Sequence, residues 1–517
     1  MTTFTPPPST PPVLEIAPPQ YGAEPIRIGS HGYHYIVTGN TLLPPSAIEK
    51  VLATAASPKD ALGDLQRAYY KHGYNLVAIT GQLEDKTVRI SVFQGTVTEV
   101  RIADGLGWFF PDLNGRNNVR TDELVTNQIV AGLYAERSGK TVDVNVSPAT
   151  NPGGTAFTVA ESPIPDYSPV TGTLSFGNYG ARYTSGYVAG ATAAANLTEG
   201  LQLTASYVQG LPWLRQSSLG SIYYQASAGI STVTPYGIYG FSATDTHFRE
   251  GFATAPLYPT GDILTYTLQG TQLLYADTAT RISATESLNR TTYTETVFDD
   301  TFTLLRQQYN YVTLGGTVTH ALTLDGQPGN VTASASLNMG ISGPSGTLED
   351  GAPGVPSPHF RYGNFSVGYL QHLPLGFQAN LTGQAQWAVN TLPAQQQWTL
   401  GGFGNLTAWE PGTVVGDSGY VARFELSAPT LERLHSTAQL GVFLETGGAT
   451  FTTPANGTAP WQTLSDVGVS LRLTLPYKFT ATAMAAFPIA SNGFNAVGTT
   501  DLRLNRLDAF FVVQKEF

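Results

Sequence analysis

The chain contains no cysteine, which excludes disulfide staples, thiolate nucleophiles and cysteine-based zinc sites. Charge is scarce: 12% of residues are charged, against about 25% in ordinary soluble domains. The balance is acidic, with a formal net charge of -11, so general nucleic-acid binding is not expected. No apolar run reaches the ~18 residues that a membrane helix needs. The opening Met1-Thr2-Thr3-Phe4-Thr5-Pro6 has neither the basic nor the apolar region of a signal peptide; a trimmed leader is expected. The eight histidines show no HExxH spacing, so no metal is expected. Gly402-Phe403-Gly404 is followed by Thr407 where a dinucleotide fingerprint needs glycine, so no cofactor is expected either. Gly416-Asp417-Ser418-Gly419 spells a serine-protease nucleophile motif. Tyr420 stands where that turn wants glycine, however, and the motif reads as a strand start rather than an enzyme.

What is present changes along the chain. Residues 1–27 hold Pro6, Pro7, Pro8, Pro11, Pro12, Pro18 and Pro19, an extended linker by composition. Over 28–163, 24 of 136 residues are charged; over 164–517 only 36 of 354 are, and Lys478 and Lys515 are the only lysines. A soluble-looking front is therefore joined to a charge-poor back near Pro163. The front reads as two small α+β modules, 28–95 and 96–163. In the first, a strand over Tyr33–Val37 precedes two helices. One has Ile48, Val51 and Leu52 on one face; the other has Leu62, Leu65 and Tyr69 and stops at Gly73. Strands follow at Asn75–Thr80 and Thr87–Phe93. The second module predicts strands at Thr96–Ile102, Thr141–Val146 and Thr155–Ala160 and a helix near Glu123–Tyr134, with no clear first helix.

The back alternates with a period of two. Val467, Val469, Leu471, Leu473 and Leu475 interleave with Gly468, Ser470, Arg472 and Thr474; Leu264, Tyr266 and Leu268 interleave with Thr265 and Thr267. A soluble sandwich alternates too, but its outer face carries lysine and glutamate. Here the polar face is Thr, Gln, Ser, Asn and Gly, and segments of ten to thirteen residues exceed the usual strand of about 5–6. Long strands with one apolar and one uncharged polar face predict a membrane barrel around a wet interior. Sixteen segments can be placed, from 170–180 to 507–517. The chain closes on Phe511, Val513 and Phe517 in alternation, the form of final strand that outer-membrane barrels present to their assembly machinery.

With these residues in view, the chain resembles the two-partner secretion transporters, a group of outer-membrane barrels that bear POTRA modules. The resemblance covers about 30–517. It rests on Gly39–Leu52, Leu65–Thr80 and Lys86–Ile102 in the front, on Asn151-Pro152-Gly153-Gly154-Thr155, on Phe176-Gly177-Asn178-Tyr179-Gly180, and above all on Leu400–Leu426. In the family this last stretch is a loop that folds into the lumen. Gly401 and Gly402 open it, its tip reads Val-Arg-Gly-Tyr, and Gly-Asp-Ser-Gly follows, matched here by Gly416, Asp417, Ser418 and Gly419.

The tip of this chain is Leu406-Thr407-Ala408-Trp409, so Thr407 replaces the family arginine, and Phe443-Leu444-Glu445 stands for the family's Phe-x-Asp on the barrel wall. The resemblance implies that the missing cation leaves Glu445 short of a partner. Arg423 and Arg472, both able to point inward, are the expected substitutes; Glu445→Ala is then expected to loosen the loop and Thr407→Arg to be tolerated. The prolines of 1–27 oppose a plug helix before the first module. The implied function is a Gram-negative outer-membrane translocator. Its periplasmic POTRA modules capture an extended exoprotein client, and its barrel, seated in outer-membrane lipid, lets the client out. An assembly factor for outer-membrane proteins and a passive porin-like channel are the alternatives.

Overall fold

The computed structural model describes residues 24–150, 154–181, 184–198, 200–343, 345–433, 435–454, 459–493 and 508–517. The proline-rich start up to residue 23, with any plug helix, and Asn151–Gly153 of the expected Pro-Gly turn lie outside the described residues. The chain divides into two compact units: the first runs to Tyr167 and takes in the short segments Val233–Tyr236 and Tyr275–Thr278, and the second is the rest of the chain.

The first unit holds two small α+β modules. In the first, Ile26–Ser30 and Tyr33–Thr38 form a hairpin across His31-Gly32, both at positive φ, as a two-residue turn requires. The first module therefore starts slightly before the expected 28: Ile26 and Arg27, assigned by composition to the proline-rich linker, already pair with Val37 and Ile36. Tyr33–Thr38 pairs in parallel with Thr87–Gln94, which pairs with Val77–Glu84. Helix α1 (Pro45–Thr54) starts on proline, and α2 (Pro58–Lys71) is capped by Ser57, whose hydroxyl accepts the Asp60 N–H (3.2 Å). Both helices turn Ile48, Leu52, Ala61, Leu65 and Tyr69 onto Tyr35, Val88 and Ile90 to make the core. Asn40 is buried among them. It holds Leu43 through both its amide atoms and accepts the Tyr69 hydroxyl, which fixes the turn ahead of α1. In the second module, Thr96–Ile102 runs parallel to Gly154–Pro163, which pairs with Lys140–Pro148, under helix α3 (Thr121–Glu136). Among the described residues its only other helical piece is the single turn Gly107–Phe109.

The second unit is a closed antiparallel barrel of sixteen strand positions. They run from Val170–Gly177 to Asp508–Glu516, with the short Leu431–Arg433 extending the twelfth along the same neighbour. The expected segments overlap these strands. The ends differ most at Thr280–Val297, which runs past the expected 291, and at Phe302–Leu324, which starts before the expected 308; the first adds a threonine-rich stretch and the second sets Leu304 beside Leu305, so neither shows clean alternation. One end of the barrel has short turns such as Asp325-Gly326, again at positive φ; the other has long loops, including 341–360 and 389–417. The outer face is apolar, with Leu268, Leu314, Phe365, Leu440 and Val469 exposed. Exposed aromatics gather near both rims, Tyr236, Tyr477 and Phe517 at the short turns and Trp213, Trp387 and Trp461 at the long loops. The inner face carries ladders of small polar pairs: Ser206–Ser227 (2.7 Å), Thr267–Asn289 (2.9 Å) and Thr313–Asn338 (2.7 Å).

Closure is made by Val512–Glu516 against Thr173–Gly177, five paired residues. Asn178 prolongs this seam with its side chain: its amide donates to the Ala509 carbonyl (2.9 Å) and accepts the Phe511 N–H (2.7 Å). Phe511 packs on Phe176 and Tyr187 across the seam. Val513 and Phe517 are exposed, and Lys515 lies 5.1 Å over the Phe517 and Phe479 rings.

Candidate loop anchor inside the barrel

The segment between Gln378–Ala388 and Ser418–Ser427 leaves the wall and returns to it through a short ribbon, Trp398–Leu400 with Val414–Gly416. Gly401 and Gly402 turn the chain at φ 107° and 104°; a β-carbon on Gly401 would meet the Glu410 carbonyl at 2.1 Å. Beyond them the tip is fully enclosed: Leu406, Thr407, Ala408 and Trp409 are 0, 0, 6 and 1% exposed. Leu406, Ala408 and Trp409 pack with Leu400, Val414, Phe443, Leu464 and Met484 into a small apolar core of loop and wall residues.

Leu406 adopts φ 61°, a region a branched side chain rarely occupies. The turn there is held by Trp409 N–H to the Leu406 carbonyl (3.0 Å). It aims two successive backbone N–H groups at the wall: Thr407 donates to Glu445 Oε2 (2.6 Å) and Ala408 to Asp466 Oδ2 (2.8 Å). Glu445 and Asp466 are register partners on adjacent strands, so one pair of inward positions receives both donors. The tip is thus held through its backbone. The Thr407 hydroxyl turns back to accept the Gly404 N–H (3.3 Å), and Trp409 Nε1 finds no partner among the described residues.

Arg423 is Glu445's cross-strand partner. Its guanidinium donates to Glu445 Oε1 (2.6 Å) and to Glu425 Oε2 (2.8 Å) and lies 3.9 Å over the Phe443 ring. Arg472 does not reach Glu445. Register sets it opposite Gln439, three inward positions from Asp466, and it pairs with Glu425 instead (2.8 Å), where Ser470 also donates (2.7 Å). The result is a chain of alternating charge, Arg472–Glu425–Arg423–Glu445, ending on the Thr407 amide, with Asp466 beside it holding the Ala408 amide. Glu425 and Asp466, both essentially unexposed, escaped the sequence reading. The signal was available: Glu425 follows Arg423 by two, and Asp466 shares the parity of Arg472, so a period of two puts all four inside.

The loop base has its own clamp. Asp417 is fully buried and accepts the N–H of Leu392 (2.9 Å) and of Thr452 (2.8 Å), while Ser418 accepts that of Ala388 (2.9 Å). Gly416 and Gly419 pass too close to Thr450 and Trp398 to carry a β-carbon. The Gly-Asp-Ser-Gly motif is therefore a strand-entry clamp in this fold. Farther along the loop, Glu410 pairs with Arg215 (2.6 Å), and Phe403 packs on Tyr179 and Phe510, beside both strands of the seam.

Residues 164–473 match the profile of a family described as haemolysin secretion/activation protein ShlB/FhaC/HecB. Among solved structures, the chain is similar to CdiB from Escherichia coli, with a TM-score of 0.75 at 18% identity, covering 99% of this chain and 94% of that one. It is also similar to CdiB from Acinetobacter baumannii, with a TM-score of 0.66 at 14% identity, covering 96% and 91%. No curated protein sequence matches the chain. The profile spans well over half of the chain and takes in the barrel strands that carry Arg423, Glu425, Glu445 and Asp466; the chain belongs to the ShlB/FhaC/HecB family of two-partner secretion transporters of the outer membrane.

Proposed function

We propose that this chain exports one exoprotein in unfolded form, with the two front modules acting as periplasmic POTRA domains that capture it. The observation that carries the reading is the loop seated inside a polar-lined barrel by wall carboxylates. A translocator needs an inner element that holds its place at rest and is displaceable by a passing chain, and a tip fastened through two backbone N–H groups meets that need. The front supports the reading because both modules present mixed sheets whose edge strands, Ile26–Ser30 and Val77–Glu84 in the first, can accept an extended client by β-augmentation. No nucleotide motif is present in the sequence, so the driving force assigned here is the folding of the client once outside.

The test is direct binding. Residues 24–167, which hold both front modules, should form a complex with the amino-terminal segment of the exoprotein encoded beside this chain, and hydrogen exchange should slow at one sheet edge. Absence of a complex with any segment of that exoprotein would contradict capture by the front.

A further inference from the structure

Strands Thr260–Ala276, Thr280–Val297 and Phe302–Leu324 are neighbours in the wall. Along the middle one, Asn289 and Thr291 are buried on the inner side, while Leu288 and Arg290 stand exposed on the outer side. Register sets Asn310 opposite Arg290, and Ile341 donates its N–H to the Asn310 carbonyl (2.9 Å), so Arg290, Asn310 and Ile341 lie side by side on the outer face. With Phe241, Tyr266 and Leu268 they line a groove of about 410 Å³. On the short-turn side of this row the outer positions are mostly apolar, with Leu288, Leu314, Val318 and Leu337 all exposed; Glu286, bonded to Gln272, is the acidic exception on the same strand. On the long-loop side they become Thr292, Thr294, Arg306 and Gln308. Arg290 therefore stands at the edge of the lipid-facing band, at the end that carries the long loops, which in barrels of this kind is the outer leaflet.

Among the described residues this guanidinium has no protein partner. Nearby acids on the outer face are Glu286, bonded to Gln272 (3.4 Å), Asp262, bonded to His247 (2.7 Å), and Asp245; among the described residues none pairs with Arg290. A second outward arginine, Arg361, starts its strand opposite Met339 a short way round the same rim. An unpaired guanidinium facing lipid is unfavourable unless an anion meets it, and its planar fork fits phosphate oxygens in pairs.

We propose that this groove binds the phosphate of an outer-leaflet glycolipid. Arg290 and the Asn310 amide take the phosphate, and Phe241, Leu268, Leu288 and Ile341 take the first acyl chain. The inference requires a membrane-embedded barrel and is independent of the secretion reading.

The experiment is native mass spectrometry of the full-length protein in mild detergent, mixed with bisphosphorylated lipid A or with the same lipid stripped of phosphate. The wild type should retain about fivefold more of the phosphorylated lipid, since charge-assisted bonds to phosphate are the stronger ones. Arg290→Gln should fall to the phosphate-free level, and Arg290→Lys, a point charge without the fork, should keep about half of the preference. Unchanged heat-modifiable mobility of each variant shows that its barrel is intact. Equal retention by wild type and Arg290→Gln, or no preference in the wild type, overturns the proposal. A photoreactive residue at Ile341 in native membranes should give a lipid adduct; a protein adduct overturns it by assigning the groove to a protein partner.

Discussion

Arg423 faces two carboxylates, Glu425 and Glu445, in a site where it is itself 8% exposed. Buried ion pairs add little net stability when intact, because desolvation offsets attraction. Removing one partner is another matter, and costs about 3–5 kcal/mol. Arg423→Met should therefore lower the temperature at which the folded band is lost in unboiled gels and should make the 389–417 loop accessible to protease. Glu445→Ala should act in the same direction, since it deprives both Arg423 and the Thr407 N–H of an acceptor. The cluster holds three acids, Glu425, Glu445 and Asp466, against two arginines, and Asp466 Oδ1 has no partner among the described residues. Asp466→Asn keeps an oxygen for the Ala408 N–H and removes the surplus charge, so it should be neutral or raise thermal stability; marked destabilisation would contradict this charge balance. Thr407→Arg is a less clean test than the sequence suggested. Thr407 is fully buried and its hydroxyl is occupied by Gly404, so a guanidinium there has to displace packed atoms.

At the scale of elements, the loop is fastened at its base as well as its tip. Asp417→Ala would leave two N–H groups, of Leu392 and Thr452, without their acceptor; with bonds to charged groups contributing about 1.5–3 kcal/mol each, the loop base should fray. Limited proteolysis should then cut near 389–397 while the barrel stays heat-modifiable. In the front, Leu65→Ala, in the core of the first module, should destabilise the 24–167 fragment by about 2–5 kcal/mol, measured by urea unfolding. The elements were legible where periodicity was strong. The strand over 467–475 and the α2 stripe of Leu62, Leu65 and Tyr69 announce themselves, because burial on one face forces the pattern. What was not legible follows from physics that leaves no local trace. Ile26–Ser30 is too short to show alternation beside a proline run. The pairing of Arg472 with Glu425 rather than Glu445 depends on register between strands, which no single segment encodes. That the loop tip is held by backbone N–H groups is likewise invisible to side-chain identity, and it explains how an arginine can be absent from the tip while the loop still sits against the wall.

At the scale of the whole molecule, the barrel closes through a short join among the described residues. The seam has five paired residues, against eleven between the strands Gln327–Gly340 and Arg361–His372, and is lengthened by the Asn178 side chain. Asn178→Ala removes both side-chain bonds while leaving the five backbone pairs, and should lower the temperature of the folded-to-unfolded band shift without abolishing the folded band. The loop reaches the same region through Phe403, which packs on Tyr179 and Phe510, so loosening of the tip and of the seam should be coupled: Asn178→Ala combined with Arg423→Met should deviate from additivity, since the two share Phe403 as a neighbour.

The central claim is that this barrel exports a polypeptide captured by its front. The most direct measurement is the amount of the neighbouring exoprotein in the culture medium of cells that co-express it with this chain. With the intact chain the exoprotein should appear in the medium; with 24–167 deleted, and the barrel still heat-modifiable in the membrane, it should stay in the cell. Retention of the exoprotein by cells carrying the intact chain, or equal release with and without the front, would contradict the account.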